Sequence, residues 1–372
     1  MKLKRFLVSF LILLFVSCNS DDTNTIDIEE EIEVPIASFS VIGQDVNEVY
    51  QFDFNAESNA GTLINLTQDF SISTDYLTLR EVDDILSFYF FSDGAFSLIV
   101  KDVKTGASAT YSDFFANSPG RSVAWGINNE SNVFFGFFGP NGTRDIGIQD
   151  VNLQSDVVQD SAVDSDIDFI FQPVLFEGKV YFVYRDNARN YKFTFYDSNA
   201  QNVGPILNFG DIPISFLLTE SNEIGIVKNG VNASLELYDP ITLILQEALP
   251  LQFNTGFSAG PIDGAVYENG ILYYAFPFVQ PAEFPAGPAS FDTQSQENNL
   301  IDFFSIADQV EDELGQRIGL TVQVYDAITN VFLVGYEVLD QSARGGVLQI
   351  DVNGNLIANV STTFVPTYII RN

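Results

Sequence analysis

The chain has 372 residues, with 16 lysines and arginines against 50 aspartates and glutamates, no histidine and one cysteine. A formal charge of −34 repels nucleic acid and anionic bilayer surfaces, which argues against nucleic acid as a partner. Without histidine there is no Ser-His-Asp relay, no imidazole acid–base group and no histidine-held zinc or iron. Any enzymatic chemistry must then rest on carboxylates, Tyr, Lys, Arg or oxygen-ligated calcium.

The first element is a leader. Lys2, Lys4 and Arg5 precede an apolar run, Phe6–Val16, broken only by Ser9. A basic start, a short apolar stretch and the small Ser17 are the parts of a secretion signal. The run is too short for a bilayer core, which takes roughly 20 helical residues. The segment Leu14-Phe15-Val16-Ser17-Cys18 resembles the lipobox of bacterial lipoproteins, with Phe15 where Leu is commoner. The resemblance implies that residues 1–17 are cleaved and that Cys18 carries palmitate-type acyl chains in a lipid bilayer. Two or more such chains give stable anchoring. Lipidation of the single cysteine would leave no thiol for disulfides, zinc binding or nucleophilic attack. Loss of the leader leaves 13 basic against 50 acidic residues, a net of −37.

Residues 18–35 carry Asp21, Asp22, Asp27, Glu29, Glu30, Glu31 and Glu33 and read as an acidic, disordered tether. Ser20-Asp21-Asp22 just after the cysteine resembles the export tag of cell-surface lipoproteins of Bacteroidota. That resemblance implies an outer-membrane address facing the exterior, with the inner leaflet of that membrane as the alternative.

From residue 36 to 372 the chain reads as one all-β domain. The 35 Phe and 15 Tyr favour strands, and a two-strand unit ending in Asp recurs. Its copies are Ile85–Phe91 with Phe96–Asp102, Val133–Phe138 with Asp145–Asp150, Lys179–Tyr184 with Lys192–Asp197, and Glu223–Val227 with Ser234–Asp239. The closing residues Asp53, Asp102, Asp150, Asp197 and Asp239 fall 42 to 49 residues apart. That period, with about four short strands per unit, is the signature of propeller blades. The expected fold is a β-propeller of six or seven four-stranded blades, leaning to seven. The tail segments Gly346–Val352, Leu356–Thr363 and Thr367–Arg371 complete the first blade or form another.

The next unit, Ile271–Phe276, finds its expected partner only at Leu320–Asp326, so residues 277–317 read as an insertion within a blade. Pro277, Pro281, Pro285 and Pro288 argue against a central strand there. Asn298–Leu314 follows with Leu300, Phe303, Phe304, Ala307, Val310 and Leu314 at helical spacing and Gly315 as a stop.

Several residues are candidates for a site, each with an ordinary structural use beside the functional one. Asp164, Asp166 and Asp168 alternate and would share one side of an extended segment, either as a calcium cluster or as a solvated acidic loop. Asp351-Val352-Asn353-Gly354 resembles the start of a calcium loop, but Thr362 stands where the closing Glu would, and a hairpin turn is the simpler use. Trp125, on an expected inner strand, is core packing or a sugar-stacking platform near the channel. Phe284 and Phe291 form a binding lip or fill space beneath the helix. Arg121 and Arg344 hold an anionic ligand or pair with carboxylates. Ser161, in Asp160-Ser161-Ala162, resembles the O-glycosylation signal of Bacteroidota envelope proteins. No phosphate-loop, dinucleotide or serine-elbow motif is present.

These features support a non-catalytic binding lipoprotein that presents a propeller to glycan or protein partners. The alternatives are a carboxylate- or calcium-dependent glycosidase or lyase in the central channel, and a structural subunit of an envelope complex. The enzyme question stays open, because fold does not choose among these classes.

Overall fold

Hairpins of the expected kind pair into seven antiparallel sheets arranged as the blades of a propeller. The computed structural model describes residues 34–139, 144–155, 157–253, 255–340 and 342–371. The leader, Cys18 and the tether up to Glu33 lie outside the described residues.

Blade 2 contains Thr78–Val82, Ile85–Ser92, Ala95–Asp102 and Ser108–Ala116. Blade 3 contains Ser122–Asn128, Asn132–Phe138, Ile146–Asn152 and Val158–Asp164. Blade 4 starts with Ile167–Phe176, Lys179–Asp186 and Tyr191–Asp197, and its outer edge is split between Asn202–Val203 and Leu207–Asn208. In blade 5, Ile214–Leu218, Ile224–Lys228, Ser234–Tyr238 and Leu245–Pro250 are joined by Gly260–Pro261, which runs parallel to the first of them. Blade 6 holds Val266–Glu268, Ile271–Pro277, Ala286–Asp292 and Glu297–Leu300. Blade 7 holds Ile318–Asp326, Val331–Val338, Gly345–Asp351 and Leu356–Thr362.

Burial follows from stacking. The middle strands Asn132–Phe138 and Val331–Val338 are buried on both faces because a neighbouring blade lies against each. They are accordingly apolar almost without interruption, whereas the outer strand Ser108–Ala116 is polar and largely exposed. Aromatic side chains fill the spaces between blades: Tyr273 of blade 6 stacks on Tyr325 of blade 7, and Phe193 of blade 4 meets Phe216 of blade 5 edge-on.

Blade 1 closes the ring. Phe39–Gln44, Val49–Asn55 and Ala60–Asn65 come from the start of the domain, and the fourth strand is Val365–Arg371, paired with Val41 opposite Ile369. The buried Gln349 amide ties this junction to blade 7. Ala37 N–H donates to its Oε1 at 2.7 Å, and its Nε2–H donates to the Ala37 carbonyl at 3.0 Å. A second buried tie joins blades 1 and 2, where Lys101 Nζ donates to Gln51 Oε1 at 2.8 Å.

The recurring aspartate has a local cause at Asp102, Asp197 and Asp239, whereas Asp53 and Asp150 do not close the turn and Asn55 and Asn152, two residues on, do so instead. At the end of each blade's third strand an Asp or Asn side chain accepts backbone N–H groups two to four residues on, closing an Asx turn. Asp102 takes Lys104 and Thr105, Asp197 takes Asn199 and Ala200, and Asp239 takes Ile241 and Thr242. Asn152 takes Gln154 and Ser155, and Asn55 takes Ser58. Asp292 takes Gln294 and Ser295, while Asp351 takes Asn353 and Asn355. The Asp351 segment is therefore a hairpin turn. The backbone donors at Thr105, Thr242 and Ser295 hold the Asp102, Asp239 and Asp292 carboxyls below the usual carboxylate range.

This turn corrects the reading of residues 277–317, which are not an insertion within a blade. Ala286–Asp292 pairs with Ile271–Pro277, so blade 6 is complete before residue 301, and Ile318–Asp326 opens blade 7. Asp326 ends an inner strand, and the third-strand counterparts are Asp292 and Asp351. Pro288 does lie in a central strand. Its carbonyl accepts from Ile301 N–H at 3.1 Å, so its nitrogen faces the same side, past the end of the Glu297–Leu300 pairing, where no donor is required. The helix is Phe303–Leu314, capped by Asp302 and ended by Gly315. Asn298 and Leu300 belong to a strand instead, and Ile306 takes the buried place expected of Phe304. The helix packs between blades 6 and 7 with Phe284, Val334 and Ile350.

Two outcomes follow from these contacts. Gln349→Ala strands two buried backbone groups of Ala37 and should cost about 2–4 kcal/mol, read as a lowered denaturant midpoint. For the turns, a carboxyl with a depressed folded pKa contributes stability present above its unfolded pKa of about 3.9 and lost as pH falls through the folded value. Asp239→Ala should therefore lower Tm at neutral pH and lose that deficit in acid. Asp239→Asn should keep the turn, as Asn152 does, without the pH dependence.

Candidate functional site

The inner strands of blades 2, 3 and 4 contribute Arg80, Ala124 and Gln172 to one opening, the mouth of the channel. Arg80, from Thr78–Val82, reaches across this mouth. Its Nε–H donates to the Gly126 carbonyl of blade 3 at 3.3 Å, and its Nη2 donates to Gln172 Oε1 of blade 4. Asp263, in the link between Gly260–Pro261 and blade 6, shares the mouth with it.

Arg80, Ala124 and Gln172 line two adjacent cavities, so the Arg80–Gln172 contact partitions the mouth. The first compartment, about 490 Å³, is walled by Leu77, Tyr89, Phe91, Phe96 and Phe135, with Arg121 and Asn117 among its polar groups. The second, about 610 Å³, contains Phe169, Phe171, Asp168 and Asp263. Burial pushes the Asp263 carboxyl up, while the charge of Arg80 draws it back. Burial likewise pulls the Arg80 guanidinium down, opposed by Tyr89, Asp263 and Tyr368. Asp263 is nonetheless exposed to water within the mouth, which screens its charge in part.

The residues singled out from sequence are dispersed around this mouth and elsewhere. Trp125 adjoins the first compartment, but its side chain is only 4% exposed and its ring lies 5.6 Å from that of Phe182. A β-carbon on Gly136 would stand 2.3 Å from the indole, so the ring is held in the core with no face open for stacking. Its Nε1–H has no hydrogen-bond acceptor among the described residues. Arg121 lines the same compartment but forks onto Asp160 at 2.5 and 3.1 Å and lies over the Phe137 ring at 4.5 Å. Arg344 precedes the third strand of blade 7 rather than an inner strand, and pairs with Asp340 at 2.7 Å.

Phe284 and Phe291 are 2% and 0% exposed, the first against Phe303 and the second against Phe253, so neither presents a lip. Ser161 is half-buried in the outer strand of blade 3, near Tyr196, whose hydroxyl donates to Asp150 at 3.4 Å.

Asp164, Asp166 and Asp168 do not converge. Asp164 ends one strand, Asp166 has a positive φ of 60° in the turn that follows, and Asp168 lies in the next strand. The turn destroys the alternation that would have aligned them. Lys192 Nζ lies 2.8 Å from Asp164, Asn187 donates to Asp166, and Arg185 Nη2 lies 2.5 Å from Asp168. Although burial pushes the Asp164 carboxyl up, the Lys192, Ser165 and Tyr184 donors hold it below its usual range. Among the described residues no group of three or more carboxylates is placed to hold a metal ion.

Sequence reasoning did not find Arg80, Gln172 or Asp263. The signal that could have flagged Arg80 is its scarcity: it is one of 16 cations and stands in the middle of an inner strand.

No family model matches the chain, and no curated protein matches it in sequence. Among solved structures it is similar to a mutant puromycin hydrolase complexed with PGG, at 12% identity and a TM-score of 0.50. That match covers 89% of this chain and 55% of the other, so the chain spans little more than half of the hydrolase. The β-propeller domain of the Trilobed protease from Pyrococcus furiosus is 11% identical with a TM-score of 0.49, over 87% of this chain and 94% of that one. At such identities the likeness to puromycin hydrolase shows a propeller fold and nothing more.

The mouth carries a stability signature. A carboxyl raised in the folded state is a burden once ionised, because stability falls as pH rises from the unfolded toward the folded pKa. Asp263→Asn should thus raise Tm at neutral pH, with the gain vanishing below about pH 3.9; thermal melts of both proteins across pH read this directly.

Proposed function

We propose that this chain is a binding lipoprotein, held in the outer membrane by acylated Cys18 and presenting the propeller mouth to glycan or protein partners outside the cell. The observation that carries the binding part is the composition of the mouth. Arg80, Gln172 and Asp263 sit between aromatic walls beside Asn117, while the other arginine, Arg121, is occupied by Asp160 and the other carboxylate, Asp168, by Arg185. Apolar walls with a few convergent polar groups are the usual makeup of a ligand site. The anchor and the exterior address rest on the lipobox and export-tag resemblances alone.

A second reading has one observation in its favour. Asp263 has its carboxyl pushed up by burial and shares a compartment with Asp168, and paired carboxyls in unlike environments can divide acid and base roles. A glycosidase or lyase in the channel would use such a pair. Puromycin hydrolase, which shares the fold, is a hydrolase by name.

Deleting residues 277–317 would remove two strands of blade 6, so point variants are the better probes. Glycan arrays and envelope-lysate pulldowns with wild-type protein should yield a partner whose capture drops with Arg80→Ala at unchanged Tm. Turnover of an arrayed glycan that Asp263→Asn abolishes would replace the binding reading with the enzymatic one. For the anchor, Cys18→Ala should lose acylation and move the protein to the soluble fraction; unchanged membrane retention would refute the lipid tether.

A further inference from the structure

Arg80 and Asp263 bring opposite charges to one mouth without neutralising each other. Among the described residues no carboxylate lies within the 4.0 Å ion-pair distance of the Arg80 guanidinium. The acceptors that hold Arg80 are both uncharged, the Gly126 carbonyl and the Gln172 amide. They fix the orientation of the guanidinium fork and leave its charge to be met by something else. Asp263 is in the complementary condition: the charge of Arg80 acts on it, yet among the described residues no hydrogen-bond donor does.

The field of the whole molecule narrows what could meet both groups. With a net charge of −34, the chain repels an anionic ligand on approach, and Asp263 repels it again at the mouth. A simple cation would be attracted to much of the surface and would find Arg80 in its way. A zwitterion has no net charge to be repelled, and it offers an anion to Arg80 and a cation to Asp263 together. Aromatic walls flank the pair on both sides, with Phe91, Phe96 and Phe135 in one compartment and Phe169 and Phe171 in the other. Those walls suit an apolar side chain.

The geometry points to a binding site for an α-amino acid or short peptide with both termini free. Its carboxylate forks onto Arg80, its ammonium faces Asp263, and an apolar side chain enters an aromatic compartment. This inference rests on the binding reading above and names the ligand class for the same mouth.

The test is calorimetric titration of wild-type protein with phenylalanine, Phe-Ala and Ala-Ala-Phe, each also as its N-acetyl and C-amide form. At least one free form should bind, and either cap should weaken it by about tenfold or more, the loss of one charge-assisted contact. Arg80→Met should abolish the effect of the amide cap and leave that of the acetyl cap. Asp263→Asn should do the reverse. The cap series uses only wild-type protein, so a variant that folds poorly does not spoil it. The inference is overturned if no free form binds more tightly than about 1 mM, or if capped and free forms bind alike. Arg80-dependent capture of a glycan or protein, with no zwitterion bound, would sink this inference and leave the binding reading standing. Failure of both kinds of partner would remove both.

Discussion

Everything in this molecule depends on the inability of a single blade to bury its own faces. A four-stranded sheet has two sides, and in the sequence Asn132–Phe138 both are apolar. Such a sheet is stable only between two others, each of which has the same need. The requirement is met for all seven when they form a ring, and a ring has to be closed. Closure here falls on Val365–Arg371 beside Phe39–Gln44 and on the Gln349 amide, which satisfies both backbone groups of Ala37. The arrangement also hides sheet edges that would otherwise template association.

The mouth is a by-product of the same geometry. Inner strands and the links between blades face one another across the opening of the ring. Arg80, Gln172 and Asp263 come from separate parts of the ring and meet only because the ring exists. The cost is borne locally, as a carboxyl raised by burial and a guanidinium lowered by it.

How much of this could be read from residues alone depended on the range of the interaction. The third strand and its Asx turn are written in adjacent residues, so blade copies such as Ala95–Asp102 and Tyr191–Asp197 were legible. The sixth blade was obscured because Pro288 disguises its third strand and because Asp326 ends an inner strand in the same manner, bonded to Thr329. The helix was placed correctly over its last turns. Its start was misjudged, since a strand residue such as Leu300 fits a helical stripe equally well. Side-chain direction was harder. A bulge between Val123 and Trp125 shifts the parity of the strand, and parity decides whether an indole faces a cavity or a core. The partners of Arg80 lie in other blades, at separations for which sequence has no local sign.

Closure by strands from the two ends of the domain also bears on how the protein is made. Until Val365–Arg371 has been synthesised, Phe39–Gln44 has an open edge and blade 7 lacks the inner strand of its neighbour, blade 1. The ring cannot reach its final state from any shorter product. The closing strand is in this sense a proof of completion, and a chain that stalls or is clipped before it would present an unpaired edge open to association.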